Sequence, residues 1–239
     1  MNIDTKVYRK HETPTFGNTL LGAVPLVSEV YLMDNIELMK HYPDKYFDLA
    51  VVDPPYGINA DKKQDKIAGQ KGHHKTSGRY KKYHETDWDS EIPQMEYFTE
   101  LFRVSKNQII WGGNYFIELP ITGVIVWDKG KSIYDNDGEL ALTSFGGFRI
   151  FRMSRADAYI NKCDNKIHPT QKPTELYDYC FSKFSKEGDK ILDTHLGSMS
   201  IAIAAHDYGF ELVGCELDVD YYNKGIQRIK NHVSQQKLF

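Results

Sequence analysis

The residues best equipped for chemistry follow one another directly: Asp53, Pro54, Pro55 and Tyr56. A carboxylate and a proline carbonyl can only accept hydrogen bonds. Side by side they can hold both hydrogens of an exocyclic amino group. That draws the nitrogen lone pair out of conjugation and aims it at an electrophile. Tyr56 adds an aromatic face on which a flat base can lie. Two prolines fix two φ angles, so the presentation is stiff. The tetrapeptide alone also admits a plain edge acid before a proline turn, because short motifs recur by chance.

A second group of residues lies downstream. Asp193 is followed by Thr194, His195, Leu196, Gly197 and Ser198, a glycine turn leading into a helix. Backbone N–H groups at such a helix start can meet a carboxylate. Glu216 ends the next apolar run, where an acid is the usual partner of ribose hydroxyls in dinucleotide folds. Asp34 ends an earlier run. A nucleoside carrying an amino acid fits this set, and S-adenosylmethionine is such a molecule. A pyrophosphate cofactor fits less well, since the turn lacks a full GxGxxG and its surroundings are acidic. His195 reads as packing beside the cofactor rather than as a base.

These residues need elements that bring them together. The run 49–52 is short, β-branched and bounded by turn formers, which predicts a buried strand ending at Asp53. Further strands are expected at 29–33, 107–111, 123–128, 139–145, 148–153, 191–193 and 211–215. Helices are expected after Asp34, over 93–104, from Pro173 to Gly188, from about 201 to Gly209, and after Asp218. Gly112-Gly113-Asn114 reads as a tight turn at the sheet edge. Residues 1–27 read as an irregular arm, and 154–165 as a short polar connection. Strands alternating with helices give an α/β, doubly wound, mostly parallel sheet. Strands that run parallel end on one edge, so Asp34, Asp53, Asp193 and Glu216 are expected to gather there.

The span 57–91 differs in composition. It carries Lys62, Lys63, Lys66, Lys71, Lys75, Arg79, Lys81 and Lys82, with Gly69, Gly72 and Gly78 interspersed and few apolar side chains. A long loop of this kind directly after Tyr56 reads as a mobile basic arm over nucleic-acid phosphates, with a solvated charged loop as the alternative. His73 and His74 lack a third ligand at a useful spacing, so no metal is expected.

The 239 residues suit one domain, 1–239, with 41% hydrophobic and 26% charged residues, as in ordinary globular chains. No apolar run is as long as a membrane span, and the start lacks a signal-peptide shape, so a cytoplasmic setting is expected. Cys163, Cys180 and Cys215 are odd in number and far apart, which argues for reduced thiols. The net charge of −3 does not announce a nucleic-acid partner, so a local basic surface would have to supply that contact.

At Asp53-Pro54-Pro55-Tyr56 the sequence resembles the DPPY signature of amino-group DNA methyltransferases. His168-Pro169-Thr170-Gln171-Lys172-Pro173 and the turn at Gly197 follow it in the order of that family's β group. The resemblance covers about residue 30 to the end. It implies a circularly permuted, seven-stranded Rossmann-like methyltransferase sheet, with S-adenosylmethionine as cofactor and DNA as partner. By the same resemblance, Asp53, Pro54, Pro55 and Tyr56 hold the amino group and stack the flipped base. Asp34, Asp53, His168, Asp193, Gly197, Ser198 and Glu216 surround the cofactor, and Thr170, Gln171 and Lys172 close over its methionine end. An acid at position 53 points to N6 of adenine; N4 of cytosine is the alternative. The family's target-recognition segment would fall at 149–166. A role beside a restriction enzyme and a homodimer are compatible with the family, although no residue here demands either.

The chain departs from the family's Asp-Pro-Phe-x-Gly-Ser-Gly-Thr at Thr194, His195, Met199 and Ser200. A side chain at 199 is expected to crowd the backbone's approach to a cofactor. That departure supports a rival reading, a DNA-binding module that has lost its cofactor site. An RNA or protein amino-group methyltransferase would usually carry the glycine turn first, and a nicotinamide oxidoreductase is disfavoured by the turn sequence.

Overall fold

A computed structural model describes residues 28–59, 89–116, 119–130, 136–160 and 166–234. The elements run β1 (Ser28–Leu32), α1 (Asn35–Lys40), β2 (Phe47–Val52), α2 (Met95–Val104), β3 (Ser105–Trp111), a 3₁₀ turn (Gly113–Tyr115), β4 (Gly123–Asp128), β5 (Gly138–Thr143), β6 (Phe148–Arg152), α3 (Arg155–Ile160), α4 (Thr174–Phe184), β7 (Lys190–Asp193), α5 (Ser200–Tyr208), β8 (Glu211–Glu216) and α6 (Val219–Ser234). The strands form one sheet in the order β1-β8-β7-β2-β3-β5-β4-β6. Every pairing is parallel except the two made by β5.

The sheet is the expected α/β, doubly wound and mostly parallel one, with eight strands among the described residues rather than seven. All eight match runs read from the sequence, the seven being what the resemblance implies, and β6 pairs in parallel with β4 at the far edge. Residues 154–165 are not a bare connection either, because α3 lies within them. Ser154 starts it by accepting from the Asp157 N–H and donating to the Asp157 carboxylate, the serine half of a capping box in the S-x-x-D pattern.

Strand β2 shows why the fold has two layers of helix. Leu49 and Val51 enter one core with Leu176, Cys180, Ile201, Ala205 and Ile229, from α4, α5 and α6. Ala50 and Val52 enter the other with Leu38, Met39, Phe98 and Leu101, from α1 and α2. Successive side chains of a strand point to opposite faces, so an uninterrupted apolar run demands cover on both. From β2 the chain winds through α2 to β3, and from β7 through α5 to β8 on the other side. The winding therefore reverses between β2 and β7, and ligands of such sheets bind outside the carboxyl ends of strands at that reversal.

Among the described residues no helix is long and apolar enough to cross a membrane. Cys180 and Cys215 are buried free thiols; Cys163 lies outside the described residues. No group of three His, Cys, Asp or Glu among the described residues could hold a metal ion, and His73 and His74 lie outside them.

Candidate active site

Two cavities open at the reversal. The first, of about 630 Å³, is lined by Asp53, Pro54, Tyr56, Tyr115, Lys129 and Glu139, among others. The second, of about 560 Å³, is lined by Asp34, Asp53, Pro55, His168, His195, Gly197, Ser198, Glu216 and Asp218, among others. Asp53, Thr170, Gln171 and Lys172 belong to both. The consecutive prolines divide the work, Pro54 facing the first cavity and Pro55 the second. Both volumes lie in the range of small-molecule sites.

At the first cavity, the Asp53 carboxylate accepts from the Tyr56 hydroxyl at Oδ1 and from the Lys172 ammonium at Oδ2. Burial, and then the charge of Asp53, hold the Tyr56 phenol well above its ordinary pKa, so it stays a donor. The Tyr56 ring stacks on Tyr115 at 5.0 Å and 12°. Asp89 fixes the backbone of this loop. Its Oδ1 accepts from the N–H groups of Tyr56 at 2.6 Å and Gly57 at 3.0 Å, and its carbonyl accepts from Asn59 at 3.0 Å. Sequence reasoning missed Asp89; an isolated acid more than thirty residues after the motif offers no local signal.

Lys172 is 4% exposed. Besides Asp53 it reaches Glu139 Oε2 at 3.3 Å and the Tyr56 hydroxyl at 3.3 Å. Glu139 in turn pairs with Lys129. Burial alone would raise the Glu139 carboxyl, but Lys172 and Lys129 more than offset this and bring it down to about 2. Lys172 is raised above its usual range because Asp53 and Glu139 overcome the desolvation that would lower it. The sequence marked Lys172 and missed Glu139 and Lys129, which arrive from β5 and from the end of β4 only because β5 is inserted between β3 and β4.

The second cavity is framed by helix starts and strand ends. Asp34 caps α1, its Oδ1 accepting from Ile36 and Glu37 N–H at 2.8 and 3.1 Å. Glu216 accepts from Gly197 N–H at 2.7 Å and Asp218 N–H at 2.8 Å, so its side chain is pinned. The His168 ring lies at van der Waals distance (3.8 Å) from where a Cβ on Gly197 would stand. Its Nδ1 meets the Thr170 hydroxyl at 3.1 Å. Burial brings His168 and His195 down to about 3, so both rings are neutral near pH 7. His195 Nε2 meets Asn35 and its Nδ1 meets Thr194. With both nitrogens engaged, the ring packs as a wall of the cavity.

Asp193 stands behind this cavity rather than on it. It is 1% exposed, and its Oδ1 accepts from His195 N–H at 2.9 Å, which shapes the turn. Burial, with the charges of Asp53 and Glu216, raises it to about 8. The folded chain therefore keeps a proton that the unfolded chain releases near pH 4. Stability is expected to fall as pH rises from about 4 to 8, by up to roughly 1.4 kcal/mol per unit. Asp193→Asn is expected to flatten that slope in urea titrations between pH 5 and 8; an unchanged slope would assign it elsewhere.

Met199 does not crowd the cavity. Its backbone is left-handed, at φ 58°, and its side chain is fully buried. It occupies the space over Gly225 of α6, where an added Cβ would meet the Met199 side chain at 2.6 Å. The expectation of a blocked cofactor approach is thus corrected, because the left-handed turn sends the side chain into the core. Met199→Gly relieves left-handed strain of about 1–2 kcal/mol but empties a site worth roughly 2–5 kcal/mol. We expect a net loss of about 1–3 kcal/mol, read as a lowered urea midpoint.

The basic residues Lys62, Lys63, Lys66, Lys71, Lys75, Arg79, Lys81 and Lys82 lie outside the described residues. The described ends of that span, Ile58 and Asp89, line the first cavity. The expected recognition segment, 149–166, covers most of β6 and all of α3, with 161–165 outside the described residues.

Residues 148–227 match the DNA methylase family. The DNA adenine methyltransferase YhdJ of Escherichia coli (strain K12) is 33% identical over 73 residues, 30% of this chain and 25% of that protein. The type II methyltransferase M.HpaI of Haemophilus parainfluenzae is 32% identical over 71 residues, 30% of this chain and 22% of that one. The chain thus matches about a quarter of the length of these relatives. Among solved structures, the M1.HpyAVI–SAM complex aligns with a TM-score of 0.53 at 17% identity, over 84% of this chain and 98% of that one. PvuII DNA methyltransferase (cytosine-N4-specific) aligns with a TM-score of 0.52 at 12% identity, over 86% and 91%. Both show the Rossmann-like methyltransferase fold.

Proposed function

We infer, from the match of residues 148–227 to the DNA methylase family, that the chain transfers a methyl group from S-adenosylmethionine to an exocyclic amino group of a base in DNA, and that the group is N6 of adenine. One observation carries the reading: Asp53 stands on the wall shared by two cavities, so a carboxylate meets both a base and a methyl donor.

The residues of the second cavity fit S-adenosylmethionine. Carboxylates at Asp34, Asp53 and Glu216 suit ribose hydroxyls and a cationic ligand, and His168, Thr170, Gln171 and Ser198 supply polar edges. When bound, the cofactor supplies a methyl group activated by a sulfonium. The chain's own residues do the rest by placement. Asp53 and the Pro54 carbonyl accept the two amino hydrogens and turn the nitrogen lone pair toward the second cavity. Tyr56 and Tyr115 offer the flat surface for the base. A base inside a duplex cannot reach Asp53, so it must flip out. The C–N bond forms as the C–S bond breaks, and one amino proton leaves. The basic residues 62–82 would meet the phosphates, and β6 with α3 would contribute to choosing the target.

Adenine is favoured by the acid at position 53 and by the adenine enzyme among the matched relatives. A DNA-binding module without a cofactor site had Met199 as its support, and that side chain lies in the core. The test is incubation with labelled S-adenosylmethionine and unmodified genomic DNA, followed by nucleoside analysis. N6-methyladenine is expected. N4-methylcytosine would overturn the base assignment, and no labelled nucleoside would overturn the activity.

A further inference from the structure

We propose that Glu139 is a positioning residue for this transfer: it takes the Lys172 ammonium from Asp53 as the target amino group arrives, and so opens Asp53 to the base. The proposal rests on the methyltransferase reading. It starts from a conflict at Asp53. Both carboxylate oxygens already carry a donor, the Tyr56 hydroxyl on one and the Lys172 ammonium on the other. A carboxylate held by an ammonium is a poor acceptor for a neutral amine, because the cation takes its negative potential.

Lys172 cannot leave for water, because its side chain is 3% exposed. A buried ammonium that gives up one anion needs another. Among the described residues, the two carboxylates within ion-pair distance of Lys172 are Asp53 and Glu139. Glu139 Oε2 stands at 3.3 Å, so a shift of roughly half an ångström makes a full charge-assisted hydrogen bond of about 2.8 Å. Lys129 grips the other oxygen of Glu139 and keeps the carboxylate aimed. Lys129, itself buried, also lies 4.5 Å over the Trp127 ring. The four charges form an alternating row, Lys129, Glu139, Lys172, Asp53. Moving one ammonium along it leaves no buried charge unpaired. Glu139 and Lys129 line only the base-side cavity, so the device acts on the acceptor of the amine and not on the methyl donor.

The test uses the full chain, labelled S-adenosylmethionine and unmodified genomic DNA. Glu139→Gln is expected to lower kcat at saturating DNA at least tenfold, while S-adenosylmethionine affinity by calorimetry stays within twofold. With Lys172→Gln already in place there is no ammonium to move, so adding Glu139→Gln is expected to cost less than twofold further. Glu139→Asp keeps the charge but withdraws it by one methylene, so an intermediate kcat is expected; this variant carries the test alone should Glu139→Gln fail to fold. The proposal is overturned by a wild-type kcat in Glu139→Gln or Glu139→Asp, by an equal cost with and without Lys172, or by cofactor affinity falling in step with rate. A wild-type chain that transfers no methyl group overturns the activity itself. An active wild type with an indifferent Glu139→Gln overturns this inference alone.

Discussion

Asp53→Ala is expected to lower methyl transfer by about 10²–10³-fold, the size of loss seen when one preorganised group is removed from a reaction centre. The variant deletes a carboxylate that faces both cavities. The target amine loses an ionised acceptor, and with it the alignment of its lone pair. The fold should tolerate the change. Asp53 lies just past the end of β2, and the Lys172 ammonium it held still has Glu139 at 3.3 Å. The second cavity keeps Asp34, His168, Ser198 and Glu216, so S-adenosylmethionine should still bind within a few-fold. Tyr56 loses its hydroxyl partner but keeps its ring contacts. Initial rates with labelled cofactor, set beside calorimetric affinity, separate the two effects. A variant that turns over at the wild-type rate would remove Asp53 from the chemistry.

Much of this arrangement is legible in the sequence because it is local. Apolar runs that stop at an acid give the strand ends, and Gly209 marks a helix end through its left-handed backbone, whereas the helix expected to run to Gly188 stops at Phe184 and Gly188 turns the chain toward β7. The motif 53–56 declares its chemistry because an acceptor pair and a ring fall within four residues. The residues that escaped are brought in by tertiary pairing. Glu139 joins Lys172 only because β5 runs antiparallel between β3 and β4. Asp89 binds the Tyr56 N–H from 33 positions away. Met199 shows the opposite failure. The departure from the family was visible, but its consequence depends on a positive φ and on Gly225 in another helix. Ser154 could have been read, since S-x-x-D before a helix is a start signal.

Gly112→Ala is expected to cut methyl transfer about a hundredfold, the scale of a misplacement near 1 Å at a reacting centre, although residue 112 takes no part in the chemistry. Gly112 follows β3 and turns the chain at φ 71° into the 3₁₀ turn that carries Tyr115. Its N–H bonds the Leu140 carbonyl of β5 at 2.8 Å, so the backbone is held. A Cβ there would fall 2.0 Å from Cε1 and 2.4 Å from Cδ1 of Tyr56. The tyrosine ring rests against bare backbone, and a methyl group would have to push it away. The ring cannot yield without cost, because its hydroxyl donates to Asp53 and the Tyr56 backbone N–H donates to Asp89. Moving it breaks the stack with Tyr115 and turns the Asp53 carboxylate. Left-handed strain adds about 1–2 kcal/mol of lost stability, which lowers the urea midpoint without unfolding the chain. The discriminating companion is Tyr56→Phe, which keeps the ring in place and removes only the hydroxyl. It should lose less activity than Gly112→Ala if the position of the ring matters more than its bond to Asp53. Rates for both variants at saturating cofactor and DNA decide this, and a Gly112→Ala chain with the wild-type rate would show that the base does not rest on Tyr56.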